Sequence, residues 1–454
     1  MNSKNLKLLI GVWAVIMMQI HPLVTQAQEQ VVSLTLEESI KYALENNVEA
    51  KNAQLEVLAA KGTIGENLAR GLPQINGSFE FTHNMAIPIM FVPNEPPFGD
   101  PSIDSEVLPV RLGVDFQSTL GVRLEQMIFD GSYFVGLKAA KTLRMLTEYD
   151  KEKIENDVIE NIKKAYFTVL VNRERMILVE ANLSRVENLL KETTALNKEG
   201  FAEKLEVSRV KVQLNNLKTE YDKIVTATAI SVELLKLQIG IPYGVEIDIS
   251  ETLNDHNQAD YINEILQNNG YRRVEIDQAK TNLELAKLDL KNNQVQYIPT
   301  INGFLAYQRS GAALDFDRAF NSSNWFSAAF VGLNMSIPIF DGFLKKNKIQ
   351  KNRIQIRQLE NQISFLDQNI DVEIFQSKKN LVNSLETLKV QEENRELALE
   401  VFEMTKIKYQ EGVGSNLEVV EADSALKEAE TNYFSALYDA LIAKVELEKA
   451  LGVL

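Results

Sequence analysis

KYQEGVGSNLEVVEADSALKEAE, residues 408–430, halts a long helix-forming run at Gly412 and Gly414, then restarts it after Ser415 with a burst of carboxylates. NKEGFAEKLEVSRVKVQLNNLKTE, residues 197–220, does nearly the same around Gly200. Two such breaks in one chain call for a search for internal repeats before any element is assigned. Three further markers recur in the same order. GLPQINGSFEF from Gly71 is echoed by YIPTINGFLAY from Tyr297, MIFDGS from Met127 by PIFDGF from Pro338, and LKLQIGIP from Leu235 by LEKALGVL from Leu447. The chain therefore reads as a duplication, with a first repeat over 28–240, a turn-rich linker over 241–260 and a second repeat over 261–454. Asp130 and Gly131 mark the same turn as Asp341 and Gly342.

Between the markers, two hydrophobic periods alternate. Ile363, Leu366, Ile370, Ile374, Leu381, Leu385 and Leu388 follow three-four spacing, as do Ile154, Val158, Ile162, Ala165 and Val169 in the first half. That spacing predicts long amphipathic helices. The candidate segments are 34–72, 138–196, 203–239, 261–296, 344–409 and 416–451. Each repeat then holds one helix of about 63 residues and two of about 37, so that two short helices laid end to end roughly match the long one at 1.5 Å per residue.

Within 73–129 and 299–340 the period changes to two. Leu112, Val114, Phe116, Leu120, Val122 and Leu124 alternate with Gly113, Asp115, Gln117, Thr119, Gly121, Arg123 and Glu125. Ile75, Gly77, Phe79 and Phe81 oppose Asn76, Ser78, Glu80 and Thr82 in a partner strand that begins at Pro73. The second half offers Ala329, Val331, Leu333, Met335, Ile337 and Ile339 against Phe330, Gly332, Asn334 and Ser336, with Phe304 and Phe330 on the nominally polar side. Four strands per chain follow. Each is about 10–13 residues long, which suffices to cross a bilayer when tilted. AIPIMFVPNEPPFGDPSIDSEVLP, residues 86–109, reads as a long outer loop.

Compartment and charge narrow the function. MNSKNLKLLIGVWAVIMMQIHPLVTQA has Lys4 and Lys7 ahead of an apolar run and ends in small and polar residues, the pattern of a secretory signal peptide over 1–27. The formal net charge is -15, and losing that segment removes two lysines and no acid. Such acidity argues against a nucleic-acid partner, which a basic surface would have to attract. There is no cysteine, so no disulfide holds an exported chain of 454 residues together. Past the signal no apolar run is long enough for a membrane-spanning helix, so any passage through lipid is made by strands. An open four-stranded sheet leaves backbone groups unpaired at its edges in lipid, and closure then takes several chains.

The doubled markers carry a family likeness. IFDG at Ile128 and at Ile339, the strand-opening pairs at Leu72 and Ile298, GYRRVEIDQAKTNLELAK after the linker and YQEGVGSNLEVVEADSAL together resemble the TolC-type outer-membrane efflux proteins, over essentially all of the mature chain. The resemblance implies a mainly helical fold with membrane β-structure: a homotrimer in which each chain gives four strands to one 12-stranded barrel and its helices to a periplasmic tunnel. It also implies seating in outer-membrane lipid and work as an exit duct, docked through a periplasmic adaptor to an inner-membrane pump, for efflux or type I secretion. By resemblance Glu418 and Glu421 match two acidic positions that ring the closed entrance, Glu206 a third, and Tyr409 a tip tyrosine. Gly200, Gly412, Gly414 and Ser415 form the hairpin tips. Ser415 with Glu418 three residues on also has the form of a capping box, which accounts for Glu418 structurally but leaves Glu206 and Glu421 unaccounted for. Relatives place a basic residue where this chain has Gly414; Lys204 or Arg209 are the candidates to replace it.

No catalytic constellation accompanies these features. Once His21 leaves with the signal, only His83 and His256 remain, at no zinc-ligand spacing. No nucleophile elbow is present, and GVGS lacks the context of a phosphate loop. Arg123 and Glu125 share a strand face and are expected to line a wet lumen, while the charges of KEKIENDVIENIKK from Lys151 form a solvated helix face. Neither a cofactor nor an enzymatic activity is expected. The alternative is a soluble periplasmic coiled-coil adaptor, which accounts for the helices but not for the flanked strands.

Overall fold

A computed structural model describes residues 32–97, 99, 102–253, 259–268 and 270–454. The signal segment 1–27 and His256 lie outside the described residues. In chain order the elements are β1 (Val32–Leu34), α1 (Leu36–Asn46), α2 (Val48–Ala69), β2 (Gln74–His83), β3 (Ile89–Pro93), β4 (Val107–Arg111), β5 (Phe116–Phe129), α3 (Gly131–Lys198), α4 (Lys204–Ile239), β6 (Ile247–Ile249), α5 (Ala259–Gln267), α6 (Val274–Val295), β7 (Thr300–Ala313), β8 (Trp325–Ser336), α7 (Leu344–Gln410) and α8 (Asn416–Leu451). Two short 3-10 turns, Phe316–Arg318 and Ser322–Asn324, lie between β7 and β8.

The chain forms two compact units. Of the described residues, one takes those up to Val48 together with those of Val158–Gln267 and Leu381–Val445; the other takes those of Glu49–Asp157, Asn268–Asn380 and Glu446–Leu454. Each unit therefore draws on both halves of the chain.

The second unit holds an antiparallel sheet in the order β2-β5-β7-β8. Its register puts Ile75 opposite Leu124, Leu124 opposite Leu305 and Leu305 opposite Val331, a continuous apolar row across four strands. Ile75, Leu305 and Val331 are exposed on this face, Val331 to 83%. The other face carries Asn76, Arg123 and Ala306 in one row, and Arg123 bonds Glu125 at 2.6 Å. Phe304 sits on this polar face because Gly332 opposite it leaves room: a Cβ there would lie 2.7 Å from the Phe304 ring. The Arg123 guanidinium covers the ring at 4.6 Å.

Several expected boundaries move. The strand read from Leu112 begins at Phe116, because the Val114 and Asp115 carbonyls accept from Asn84 rather than from a sheet neighbour, at 2.8 Å each. Strand β8 stops at Ser336, two residues before Pro338, which has no N–H to give a ladder. The outer loop contains a hairpin of its own, β3 paired with β4. The helix read as 138–196 starts seven residues earlier, at Gly131, where Asp130 Oδ1 accepts from the Ser132 N–H at 2.7 Å and opens the first turn. Asp341 plays the matching part in the second repeat, accepting from the Lys345 N–H at 3.1 Å beyond Gly342, whose φ is +65°.

Two expected helices are broken. The segment 34–72 is interrupted at Asn47, whose ψ of 138° leaves the helix and whose side chain donates to the Gln238 carbonyl at 2.8 Å. Thr35 and Glu38 form a complete capping box ahead of α1. The segment 261–296 is interrupted between α5 and α6, where Arg273 is extended and buried, donating to the Ala450 carbonyl at 3.2 Å and pairing with Glu275 and Glu373 at 3.0 and 3.1 Å. Helices α3 and α7, by contrast, run unbroken for 68 and 67 residues.

In the first unit β1 and β6 form a parallel pair. Tyr166 fastens it, donating to Glu251 at 2.7 Å, while Arg173 donates to the Ile249 carbonyl at 2.6 Å. Burial and the Glu251 carboxylate beside it push the Tyr166 hydroxyl far above its ordinary pKa, so it remains a donor. Among the described residues no helix is long and apolar enough to cross a membrane.

Candidate gate at the helix tips

Four helix ends and two turns make the tip region of the first unit. The two turns share one geometry. After α3, Phe201 N–H donates to the Leu196 carbonyl at 2.8 Å and Gly200 N–H to Asn197 at 3.2 Å; after α7, Val413 N–H donates to Lys408 at 3.0 Å and Gly412 N–H to Tyr409 at 3.1 Å. This is the Schellman arrangement, which needs a left-handed residue just past the helix. Gly200 and Gly412 supply it, with φ of +81° and +75°. Gly414 answers a different need: a Cβ there would lie 3.1 Å from the Tyr409 nitrogen. The apolar residues that follow the glycines, Phe201 and Val413, are 83% and 75% exposed.

Beneath the turns the helices pack through Val186 and Leu189 of α3, Val210, Leu214 and Leu217 of α4, Phe402 of α7, and Val419, Ala422 and Leu426 of α8. This apolar stripe leaves Glu418 and Glu421 on another side of α8, exposed and one turn apart. Only the Ser415 half of the expected capping box forms among the described residues, its hydroxyl accepting from the Glu418 N–H at 3.2 Å. The Glu418 carboxylate turns instead to Lys408, at 3.9 Å. Glu206, in the first turn of α4, accepts from the Tyr409 hydroxyl at 3.3 Å, tying the start of α4 to the end of α7. Burial raises the Tyr409 hydroxyl above its ordinary pKa, which keeps it a donor at neutral pH. Gln410, at the end of α7, donates to Glu192 of α3 at 3.5 Å. Neither Lys204 nor Arg209 pairs with Glu206, Glu418 or Glu421 among the described residues, so Lys408 is the cation the fold sets against Glu418.

Below the tip lies a polar cluster that the three-four periodicity did not single out. Asp423 is buried, 3.3 Å from Arg185 and accepting from Gln213. Arg185 lies over the Phe402 ring at 4.6 Å and donates to Asn182 at 2.7 Å; Asn182 in turn donates to buried Glu430 at 2.8 Å. Burial raises both carboxyls above the ordinary range, the Arg185 charge and the donated bonds opposing it. Their seven-residue spacing on the buried side of α8 was the available signal. Glu430 borders a cavity of about 620 Å³ that it shares with Arg175, Glu220 and Lys223.

Residues 262–453 match the outer membrane efflux protein family. Over 348 residues the chain is 20% identical to the outer membrane protein TolC of Salmonella enteritidis, covering 74% of this chain and 70% of that one. It is 23% identical over 350 residues to the probable efflux pump outer membrane protein TtgC of Pseudomonas putida, covering 74% and 69%. The fold matches CusC with a TM-score of 0.71 over 95% of each chain at 17% identity, and VceC of Vibrio cholerae with 0.69 over 92% and 96%, also at 17%. Residues 262–453 thus resemble outer membrane efflux proteins in sequence, and most of the chain shares the fold of the solved neighbours. The two relatives are outer membrane proteins by name, TtgC that of a probable efflux pump.

Proposed function

We propose that the chain is the exit duct of a tripartite efflux or type I secretion system, passing cargo from periplasm to exterior through a helical tunnel gated at the tips. The observation that carries this reading is the sheet: four antiparallel strands with an apolar row exposed on one face and Asn76, Arg123 and Glu125 on the other. Lipid on one side and water on the other satisfy both faces. The edges β2 and β8 need partners in lipid, and three copies joined edge to edge make a 12-stranded ring. The proposed assembly is therefore a homotrimer.

On that reading Glu418 and Glu421 of three chains meet near one axis, with Glu206 and Tyr409 holding the tip. Three copies of each carboxylate in a narrow, poorly hydrated opening focus a negative field that draws cations and hinders anions. Their mutual repulsion favours opening; the Tyr409–Glu206 and Lys408–Glu418 contacts oppose it. The exposed apolar tips, Phe201 and Val413, offer the docking surface for a periplasmic adaptor, which would join the duct to an inner-membrane pump.

Planar-bilayer conductance tests this. Glu418→Gln together with Glu421→Gln should lower the preference for cations over anions several-fold. An unaltered reversal potential in a salt gradient would remove these two residues from the gate.

A further inference from the structure

The helix that leaves the sheet in each repeat opens on apolar residues and then carries positive charge alone. In the second repeat, Ile339 and Phe340 between β8 and α7 are 92% and 75% exposed, and Phe343 and Leu344 are exposed as well. From Leu344 to Leu359 there are six basic residues and no acidic one, in a chain of net charge -15. Lys345 is paired with Asp341 at 3.3 Å. Lys346, Lys348, Lys351, Arg353 and Arg357 are all exposed, and none pairs with a carboxylate among the described residues. The Lys346 ammonium lies 5.6 Å from the centre of the Phe343 ring.

The first repeat shows a weaker version of the same order. After Tyr133 and Phe134, the start of α3 carries Lys138, Lys141 and Arg144 before its first acid, Glu148. Lys138 is answered by Glu284 at 3.2 Å and Arg144 by Glu148 at 2.8 Å, while Lys141 is exposed.

A solvated helix face ordinarily mixes both signs. Here one sign is segregated, and it is segregated next to exposed apolar and aromatic side chains at the foot of the proposed membrane strands. Long side chains on a helix lean toward its N-terminus, which for α7 is the sheet end. Lys346, Lys348, Lys351 and Arg353 stand within about 14 Å of Leu344 along the helix at 1.5 Å per residue, and their stems reach back toward the sheet. Arg357, about 20 Å away, contributes field rather than contact.

We propose that this segment is a collar for anionic phospholipid. Lys346, Lys348, Lys351 and Arg353 hold headgroup phosphates of the leaflet that meets the helix-side end of the sheet, while Ile339, Phe340 and Phe343 enter the acyl boundary. Guanidinium suits a phosphate fork, and ammonium groups add point charges to a negative lipid surface. This rests on the outer-membrane reading above and adds the lipid class.

The test reconstitutes the purified oligomer with equal amounts of phosphatidylglycerol and phosphatidylcholine and counts retained lipids by native mass spectrometry. Wild type should retain phosphatidylglycerol several-fold over phosphatidylcholine at about 0.05 M salt and lose most of that preference at about 0.5 M. The variant K346Q/K348Q/K351Q/R353Q should approach parity. A charge-matched control, K211Q/K223Q/K379Q/K389Q, should keep the preference. Equal loss in the control, an unaltered ratio in the first variant, or no preference in wild type would each overturn the collar. Failure of wild type to enter bilayers of either lipid would overturn the outer-membrane reading with it.

Discussion

Asp423 shows how far a residue's setting outweighs its type. Glu418, Glu421 and Asp423 stand within six residues of one helix, yet the first two are exposed and the third is buried against Arg185 and Gln213. Burial raises the Asp423 and Glu430 carboxyls, so the folded state binds protons more tightly than the unfolded chain does. The stabilisation this brings is fully present below the unfolded values, about pH 4, and is lost as pH rises through the raised folded ones. The groups facing the pair are Arg185, Gln213 and Lys427 at Asp423, and Asn182, Arg185 and Arg395 at Glu430. Thermal unfolding followed from pH 7.5 down to pH 5 should show wild type gaining stability relative to Asp423→Asn/Glu430→Gln, whose profile should be flatter. Parallel profiles would mean that these two groups do not titrate differently in the folded state.

At the scale of elements, the helix ends differ in what their glycines do. Gly412 has a φ of +75° and open space where a Cβ would go. Alanine there pays only the left-handed strain, and Gly412→Ala should fold with a loss of about 1 kcal/mol. Gly240, at the end of α4, has a φ of +85°, and a Cβ would lie 2.7 Å from the Asn46 carbonyl oxygen, part of the junction between α1 and α2. Backbone cannot swing aside as a side chain can. Gly240→Ala should therefore cost about 3 kcal/mol or more, as overpacking adds to strain. Chemical denaturation followed by circular dichroism separates the two, and equal losses would contradict the assigned roles.

For the whole molecule, the decisive property is the open sheet. Among the described residues nothing pairs with its two edges or covers its exposed apolar row, and on the proposed outer-membrane reading such a sheet must close on itself. The purified protein should need detergent for extraction, resist release by salt, and scatter light as a particle of three chains. A monodisperse monomer would remove the ring and, with it, the convergence of Glu418 and Glu421. The two compact units each combine segments from both halves of the chain, so a lesion in one half should weaken both units.

Much of this was legible in the residues because it obeys local rules. A period of 3.6 or of 2 separates helix from strand, and a glycine after a helix permits the left-handed turn. Those rules located the two long helices, the four-stranded sheet and the tip turns around Gly200 and Gly412. They did not reveal the break at Asn47, the buried Arg273 between α5 and α6, or the burial of Asp423. Each of these depends on a partner far along the chain: Gln238 for Asn47, Ala450 and Glu373 for Arg273, Arg185 and Gln213 for Asp423. Periodicity records which side of an element is apolar, whereas only the packed structure decides which polar group finds its counterpart, because that choice is made between segments that sequence distance keeps apart.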